Sequence, residues 1–571
     1  MQRDSVRNSS SRAVGVLVAV FGLAAMALAT APASAATLTV DDDGGECPSA
    51  AFSTIQAAVD AANPTGDVID VCAGIYVEQL EVSKELAIDG AGIGATVIYS
   101  PASLVTKFTT SGDNKPIVYV HDTDAAVIQG VTVDGAGQGN ANDRMVGIAY
   151  HQAGGTIQDT RVEDVRNAPA DAADAGTAVL ALADDGTPRA LDVKDSQFVR
   201  FQRSGLVLEG PDLTANVNDN TVVGIGPTPL LAQDGVQLSG GAGGSISGNT
   251  ISALEFVPHA FCSTAVLLVG PEPGAQISTN TISDTTCGIR AQDGSGTQVS
   301  GNSLTGSLLG ITLLDNPATV SDNRIAGSAE AGATGISGTE SADAGNVTFT
   351  VMANTVTGHD GPGAIGVRAS DSDTGNLSTV TMDAAFNRIT GNTVGAQADE
   401  TATLNAETNW WGCNDGPDGV DCNDVATMTD GAADFDPWLV MGLTASPSTI
   451  TAGGATSQVR ASLTRNSLGT TVGAGFPDGT GIAFATTLGS IGGSSMTSNG
   501  VAASTLTSGS QTGVANVSGT LDNESVFAQV SITPAGTLAA DVTAGGKKRK
   551  CKKKKYREKH PNKCKKKKKG K

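Results

Sequence analysis

The chain has 571 residues, 72 of them glycine, with 4 % aromatics, a charged fraction of 16 % and a net charge of −22. That length could supply several ordinary domains, but so few charges and aromatics, and so few long helix-forming stretches, favour one long repeat domain with additions. The net charge conceals a division, because Lys547 to Lys571 carries 17 Lys and Arg against one acid, and the body between residue 36 and that tail holds 16 basic against 56 acidic residues. A body near −40 disfavours a polyuronate substrate unless cations intervene.

In chain order, residues 1–35 read as an export signal. Arg3, Arg7 and Arg12 precede an apolar run from Ala13 to Leu28, and Ala33-Ser34-Ala35 forms a small-residue cleavage site. The expected mature protein is secreted, extracellular or cell-wall-associated, with no transmembrane segment after cleavage. Next, Ser53-x-x-Gln56 reads as a capping box opening a short helix through Ala62, with Phe52, Ile55 and Val59 on one face to plug the end of whatever follows. Asp41-Asp42-Asp43 ahead of it reads as a solvated segment.

From there one phrase recurs, an Asn between a β-type pair and an apolar residue. It falls at Asn220, Asn249, Asn280, Asn302, Asn323, Asn354, Asn387 and Asn409, at spacings of 29, 31, 22, 21, 31, 33 and 22 residues. A second phrase, Gly or Ala leading an alternating strand, runs between: GIAY at Gly147, GLVL at Gly205, GVQL at Gly235, AVLL at Ala265, GIRA at Gly288, GITL at Gly310, GISG at Gly335 and GVRA at Gly366. Two interleaved ladders of this period suit a solenoid of short strands, with bare coils of about 21 residues and longer ones carrying loops. Asn is expected at a left-handed corner, its amide bonding the next Asn up the stack. Ile251, Ile282, Leu304, Ile325, Val356 and Ile389 are expected to form an aliphatic stack inside.

On these residues, 36–440 resembles the pectate-lyase-like right-handed parallel β-helix superfamily. Asn409-Trp410-Trp411-Gly412 and Asp436-Pro437-Trp438-Leu439 resemble the C-terminal closure of its bacterial members, which makes the three tryptophans core residues. Residues 441–535 are rich in Ser, Thr, Gly and Val with alternating strands and resemble the bacterial immunoglobulin-like modules of invasin and intimin type, which usually serve as spacers. Residues 536–571 are a linker and Lys-rich tail that cannot pack a core. The expected fold class is therefore all-β: a right-handed parallel β-helix, an immunoglobulin-like sandwich and a disordered basic tail.

Eight cysteines in an exported chain suggest four local disulfides: Cys47 with Cys72, Cys262 with Cys287, Cys413 with Cys422, and Cys551 with Cys564. Stacked thiols remain the alternative for Cys262 and Cys287.

The superfamily contains lyases, hydrolases, epimerases and esterases acting on polysaccharides, but the phrases that surround their catalytic residues are missing here, so no catalytic residue is assigned. His121, His151, His259 and His359 are scattered. By alternation the outward residues of the Gly-led strands run Ala149, Leu180, Val207, Gln237, Leu267, Arg290, Thr312, Ser337, Arg368 and Gln397. The apolar middle suggests cover from loops between Val222 and Phe261. Arg290, Arg368, Gln397 and nearby Asp399 are the candidate groove for sugar hydroxyls. Asp415, Asp418, Asp421 and Asp424, three apart in a Gly-rich loop, either hold Ca²⁺ or decorate a disulfide-closed loop. The expected function is a non-catalytic surface display, adhesion or carbohydrate-binding scaffold, with a polysaccharide-modifying enzyme as the alternative. Partners would be a polysaccharide and, through the tail, an anionic envelope polymer, with nucleic acid unfavoured outside the cell.

Overall fold

The computed structural model describes residues 35–173, 176–341, 345–372, 379–417 and 419–535. The export signal up to residue 34, Asp418, the Cys551–Cys564 pair and the Lys-rich tail lie outside them.

Three strands make a turn. Leu213–Asn218, Thr221–Val223 and Asp234–Ser239 belong to three different sheets, and the next strand, Gly243–Ser247, returns to pair with the first. Among the described residues, repeating this builds sheets of 15, 12 and 14 strands, here termed A, B and C in the order the chain visits them, with Phe108–Thr109 added to C as an antiparallel strand off the coil path. Within each, strands from successive coils pair in parallel. The protein is thus nearly all-β, and its body is a right-handed parallel β-helix.

The inside is one continuous aliphatic core. Val222, Ile251, Ile282, Leu304, Ile325, Val356 and Ile389 stack in register on sheet B and are all buried. Each contributes about 1.5–3 kcal/mol through burial. The Gly that leads most sheet C strands sits where this stack crowds the corner. A Cβ on Gly235 would fall 2.5 Å from the Ala265 carbonyl oxygen and 2.9 Å from Ile251 Cγ2.

The Asn ladder occupies the corner between sheets A and B. From Asn220 to Asn387 each amide donates to the side-chain oxygen of the next Asn at 2.9–3.0 Å. That same oxygen also receives the backbone N–H of the preceding Asn. One expectation needs correcting: the left-handed residue is not the Asn but the one before it, such as Asp219, Gly248, Thr279, Asp322 or Thr408. The Asn is kept for its side-chain bonds, and its neighbour turns the corner. Upstream, Ser196 and Thr160 continue the ladder with hydroxyls.

The plug is the helix Ile55–Ala61, with Ile55, Ala58 and Val59 buried. Its N-cap is Thr54 rather than Ser53, and Glu78 accepts the N–H groups of Ile55 and Gln56 at 2.8 and 3.0 Å. Lys84 closes the other end on the carbonyls of Val59, Asp60 and Ala62. A distant carboxylate and ammonium satisfy the orphan groups at each end, where charge also complements the helix dipole. Disulfides join Cys47 to Cys72, Cys262 to Cys287 and Cys413 to Cys422.

After Trp438 the pairing becomes antiparallel except where Thr449–Thr451 runs parallel to Glu524–Thr533. A three-stranded sheet (Leu439–Ser446, Thr456–Asn466, Val501–Thr507) faces a five-stranded one around its own core. This sandwich grips the end of the β-helix. Trp411 belongs to the helix core, whereas its neighbour Trp410 belongs to the sandwich core. The turn between Gly513–Leu521 and Glu524–Thr533 supplies Asp522, which accepts from the Arg388 guanidinium and from Trp410 Nε1 (2.7 Å).

Candidate functional site

The outer face of sheet C places its side chains in ladders along the coil axis. Pairing runs Glu81, Tyr119, Ala149, Leu180, Val207, Gln237, Leu267, Arg290, Thr312, Ser337, Arg368, Gln397, so the alternation read from the sequence gives the register observed. What these residues touch divides the face in two.

Downstream, three of the four candidate groove residues close on one another. Arg368 Nε donates to Asp399 Oδ2 at 2.5 Å, and Gln397 Nε2 donates to Asp399 Oδ1 at 2.6 Å. Arg290 is not part of this cluster. It lies three coils away, roughly 14 Å at the strand spacing of sheets.

Upstream, a cleft of about 390 Å³ opens on the same face. Its floor is Thr177, Leu180, Ser204, Val207 and Gln237. One wall is the hairpin formed by Phe108–Thr109 and the start of Asp113–His121, braced by Arg144, whose guanidinium donates to Asn114 Oδ1 (3.1 and 3.2 Å) and Thr110 Oγ1 (3.2 Å). The other wall is Arg203, which donates to the Ala232 carbonyl and lies 3.9 Å from Asp234. Gly176, on the coil between the two arginines, has φ +86°, and a Cβ there would meet the Val165 carbonyl oxygen at 2.4 Å. Two guanidinium groups thus flank a hydroxyl-lined floor, inside a strongly acidic body. Asp234 lies behind Arg203, 5 % exposed, and burial pushes its carboxyl up, opposed by Arg203 and Thr264. Glu209 marks the open end.

Under the hairpin is a cluster that sequence reading missed. Tyr119 and Phe108 are buried, and Phe108 stacks on His151 with ring centroids 4.4 Å apart. Tyr119 Oη lies 3.1 Å from His151 Nδ1, and the His151 imidazole is pushed down by burial. His121 pairs with His151 across the coils and contacts Glu81 and Asp122 at 3.1 and 2.8 Å. The signal was present: both IVYVH and GIAYH end their strands in His, one coil apart. His259 and His359 lie elsewhere, His259 against Glu255 and His359 inside the helix against Asn392.

The aspartate loop is organised by protein groups. Asp415, Asp421 and Asp424 are exposed, and Asn523 donates to the Asp421 carbonyl while Glu524 accepts from Asn414 N–H. Among the described residues, three acidic oxygens fall within 4.8 Å of one another at Asp41, Asp42 and Asp43, not in this loop. That run is more than a solvated segment: Asp41 accepts the N–H groups of Gly44 and Cys47, and Asp42 accepts that of Ile75 on the exposed edge strand.

Fold and face together define a β-helix with a loop-walled cleft on one sheet. Residues 204–380 match the family model described as right handed beta helix region. No curated protein sequence matches the chain. Among solved structures, the adhesin InvE of Yersinia pseudotuberculosis is 31 % identical over 17 % of this chain, with a TM-score of 0.14, and the chain spans 26 % of that adhesin. The catalytic unit of a GH87 alpha-1,3-glucanase from Streptomyces thermodiastaticus is 16 % identical, with 72 % of this chain and 70 % of that one covered and a TM-score of 0.42. A tailspike mutant of E. coli bacteriophage HK620, solved with a pentasaccharide, is 10 % identical, with coverage of 84 % and 89 % and a TM-score of 0.37. Among the described residues no helix is long and apolar enough to cross a membrane.

Proposed function

We propose that this is a secreted or cell-envelope-associated carbohydrate-binding scaffold, whose glycan ligand lies in the sheet C cleft between Arg144 and Arg203. The observation that carries this reading is the cleft itself, where guanidinium N–H groups, Thr and Ser hydroxyls and a Gln amide converge on one concavity. Such donors suit sugar hydroxyls and carboxylates. The export-type residues 1–35 support placement outside the cell. The sandwich would serve as an invasin- or intimin-type module, and Lys547 to Lys571 would bind an anionic envelope polymer by counterion release.

Binding is favoured over cleavage by the lining of the cleft, in which Glu209 is the single carboxylate among the described residues. Glycosidases use a pair of carboxyl groups across the scissile bond.

The experiment is a screen of the purified protein against neutral and acidic polysaccharides, with and without Ca²⁺, recording both binding and new reducing or unsaturated ends. Saturable binding without products is expected. Product formation would overturn the scaffold reading, and products lost on chelation would place a lyase on the helix.

A further inference from the structure

Beside the polar cleft is a second concavity of different character. Pro229, Leu230, Leu231, Phe256 and Phe261 line a cleft of about 410 Å³, and Arg203 borders both this one and the first. The loops that build it leave sheet B and return to sheet C.

Phe261 is 63 % exposed and Leu230, in the same cleft, 43 %, so the ring belongs to an exposed apolar patch and is not a scattered single residue. It is nevertheless held in place. Phe256, itself buried, meets it edge-on with centroids 5.1 Å apart and planes at 88°. The next residue, Cys262, is tied to Cys287 on the following coil. Phe256 N–H donates to Thr286 Oγ1 at 2.8 Å, and the 228 and 256 segments bridge each other. The ring is therefore presented rather than left loose, so a ligand stacking on it would lose little freedom in the protein.

We propose that this cleft is a second sugar subsite, in which Phe261 takes the non-polar face of a pyranose ring belonging to the same glycan that fills the polar cleft. This rests on the carbohydrate-binding reading above and adds a direction to it: the glycan crosses the coil axis over Arg203 instead of running along the axis. The C–H-rich face of a pyranose suits the electron-rich face of Phe. Arg203, shared by both clefts, reaches hydroxyls of the linking residue. The cleft suits a small group, whereas a protein partner needs roughly 800 Å² from each side.

The test uses the full-length protein with Phe261→Ala, Phe261→Trp and, for the polar cleft, Arg144→Ala, titrated with xylan, mixed-linkage β-glucan and polygalacturonate oligosaccharides of increasing length. For whichever probe the wild type binds, Phe261→Ala should weaken binding about fivefold to tenfold for longer oligosaccharides and leave the shortest unaffected. Phe261→Trp should retain affinity, with a saturable blue shift of the indole emission it introduces. If Arg144→Ala weakens binding while Phe261→Ala does not, and the emission of the Phe261→Trp variant stays unmoved, the subsite is wrong and the polar-cleft reading stands. A Phe261 effect confined to acylated oligosaccharides would replace the pyranose with an acyl group. No binding of any probe by the wild type would remove the carbohydrate reading and the subsite with it.

Discussion

The two halves of the sheet C face share one backbone register but differ in shape. Downstream, Arg368, Gln397 and Asp399 satisfy one another. Upstream, Arg144 and Arg203 also have protein partners, Asn114 and Thr110 for the first and the Ala232 carbonyl for the second, but these hairpin and loop groups leave the two guanidinium groups on opposite sides of a cleft. A polar side chain held by loop groups at the rim of a concavity still borders space that a ligand can enter, whereas one bonded to its neighbours on a flat face does not. Charge placed opposite charge at the strand spacing becomes part of the scaffold.

What both halves share should give the largest effect. Asn302 joins Asn280 to Asn323 and bonds the Ile277 carbonyl, all buried. Asn302→Ala is expected to lower unfolding free energy by roughly 3 kcal/mol, because several buried partners lose their bonds together. Urea unfolding checks this, and a loss below 1 kcal/mol would mean the ladder is not what holds the coils in register.

The next effect separates the halves. Asp399→Ala should cost about 1–2 kcal/mol in unfolding free energy and leave glycan affinity unchanged, since the downstream cluster serves itself. A drop in affinity would show that this half belongs to the binding face.

Smaller, and opposite in sign, is the response to pH. His359 is enclosed by the downstream coils and burial holds its imidazole below 6.5, so its contribution is present above pH 6.5 and lost as pH falls through its folded value. Asp234 upstream has a carboxyl raised above 3.8, so its contribution is present below pH 3.8 and lost as pH rises through the raised value. Hydrogen exchange at pH 7 and pH 5 should therefore show loosening around His359 at the lower pH and none at Asp234. Uniform loosening would contradict the assignment.

Much of the frame was legible in the sequence. The Asn spacings, the Gly-led strands and the outward alternation are consequences of one repeated coil, so each residue reports on all the others. The three disulfides within the described residues were legible as local pairs. Other features depend on where a loop folds, which repetition does not specify. The hairpin wall of Phe108–Thr109 and Asp113–His121, the ring stack beneath it and the Phe256–Phe261 pair all come from insertions between coils. Arg368 and Gln397 read as outward by alternation with Asp399 nearby, and only geometry reveals that the three bond one another. The adjacent Trp410 and Trp411 both read as core, but in different cores, because the chain leaves one fold and starts the next between them.

The most direct test of the account sets Arg144→Ala beside Asp399→Ala and the wild type in one glycan titration by calorimetry, with a polysaccharide the wild type binds. A ligand in the upstream cleft predicts at least about a tenfold loss of affinity for Arg144→Ala, with unfolding free energy lowered by about 1–2 kcal/mol as in Asp399→Ala, and wild-type affinity for Asp399→Ala. Wild-type affinity in Arg144→Ala together with a loss in Asp399→Ala would place the ligand on the other half of the face and contradict it.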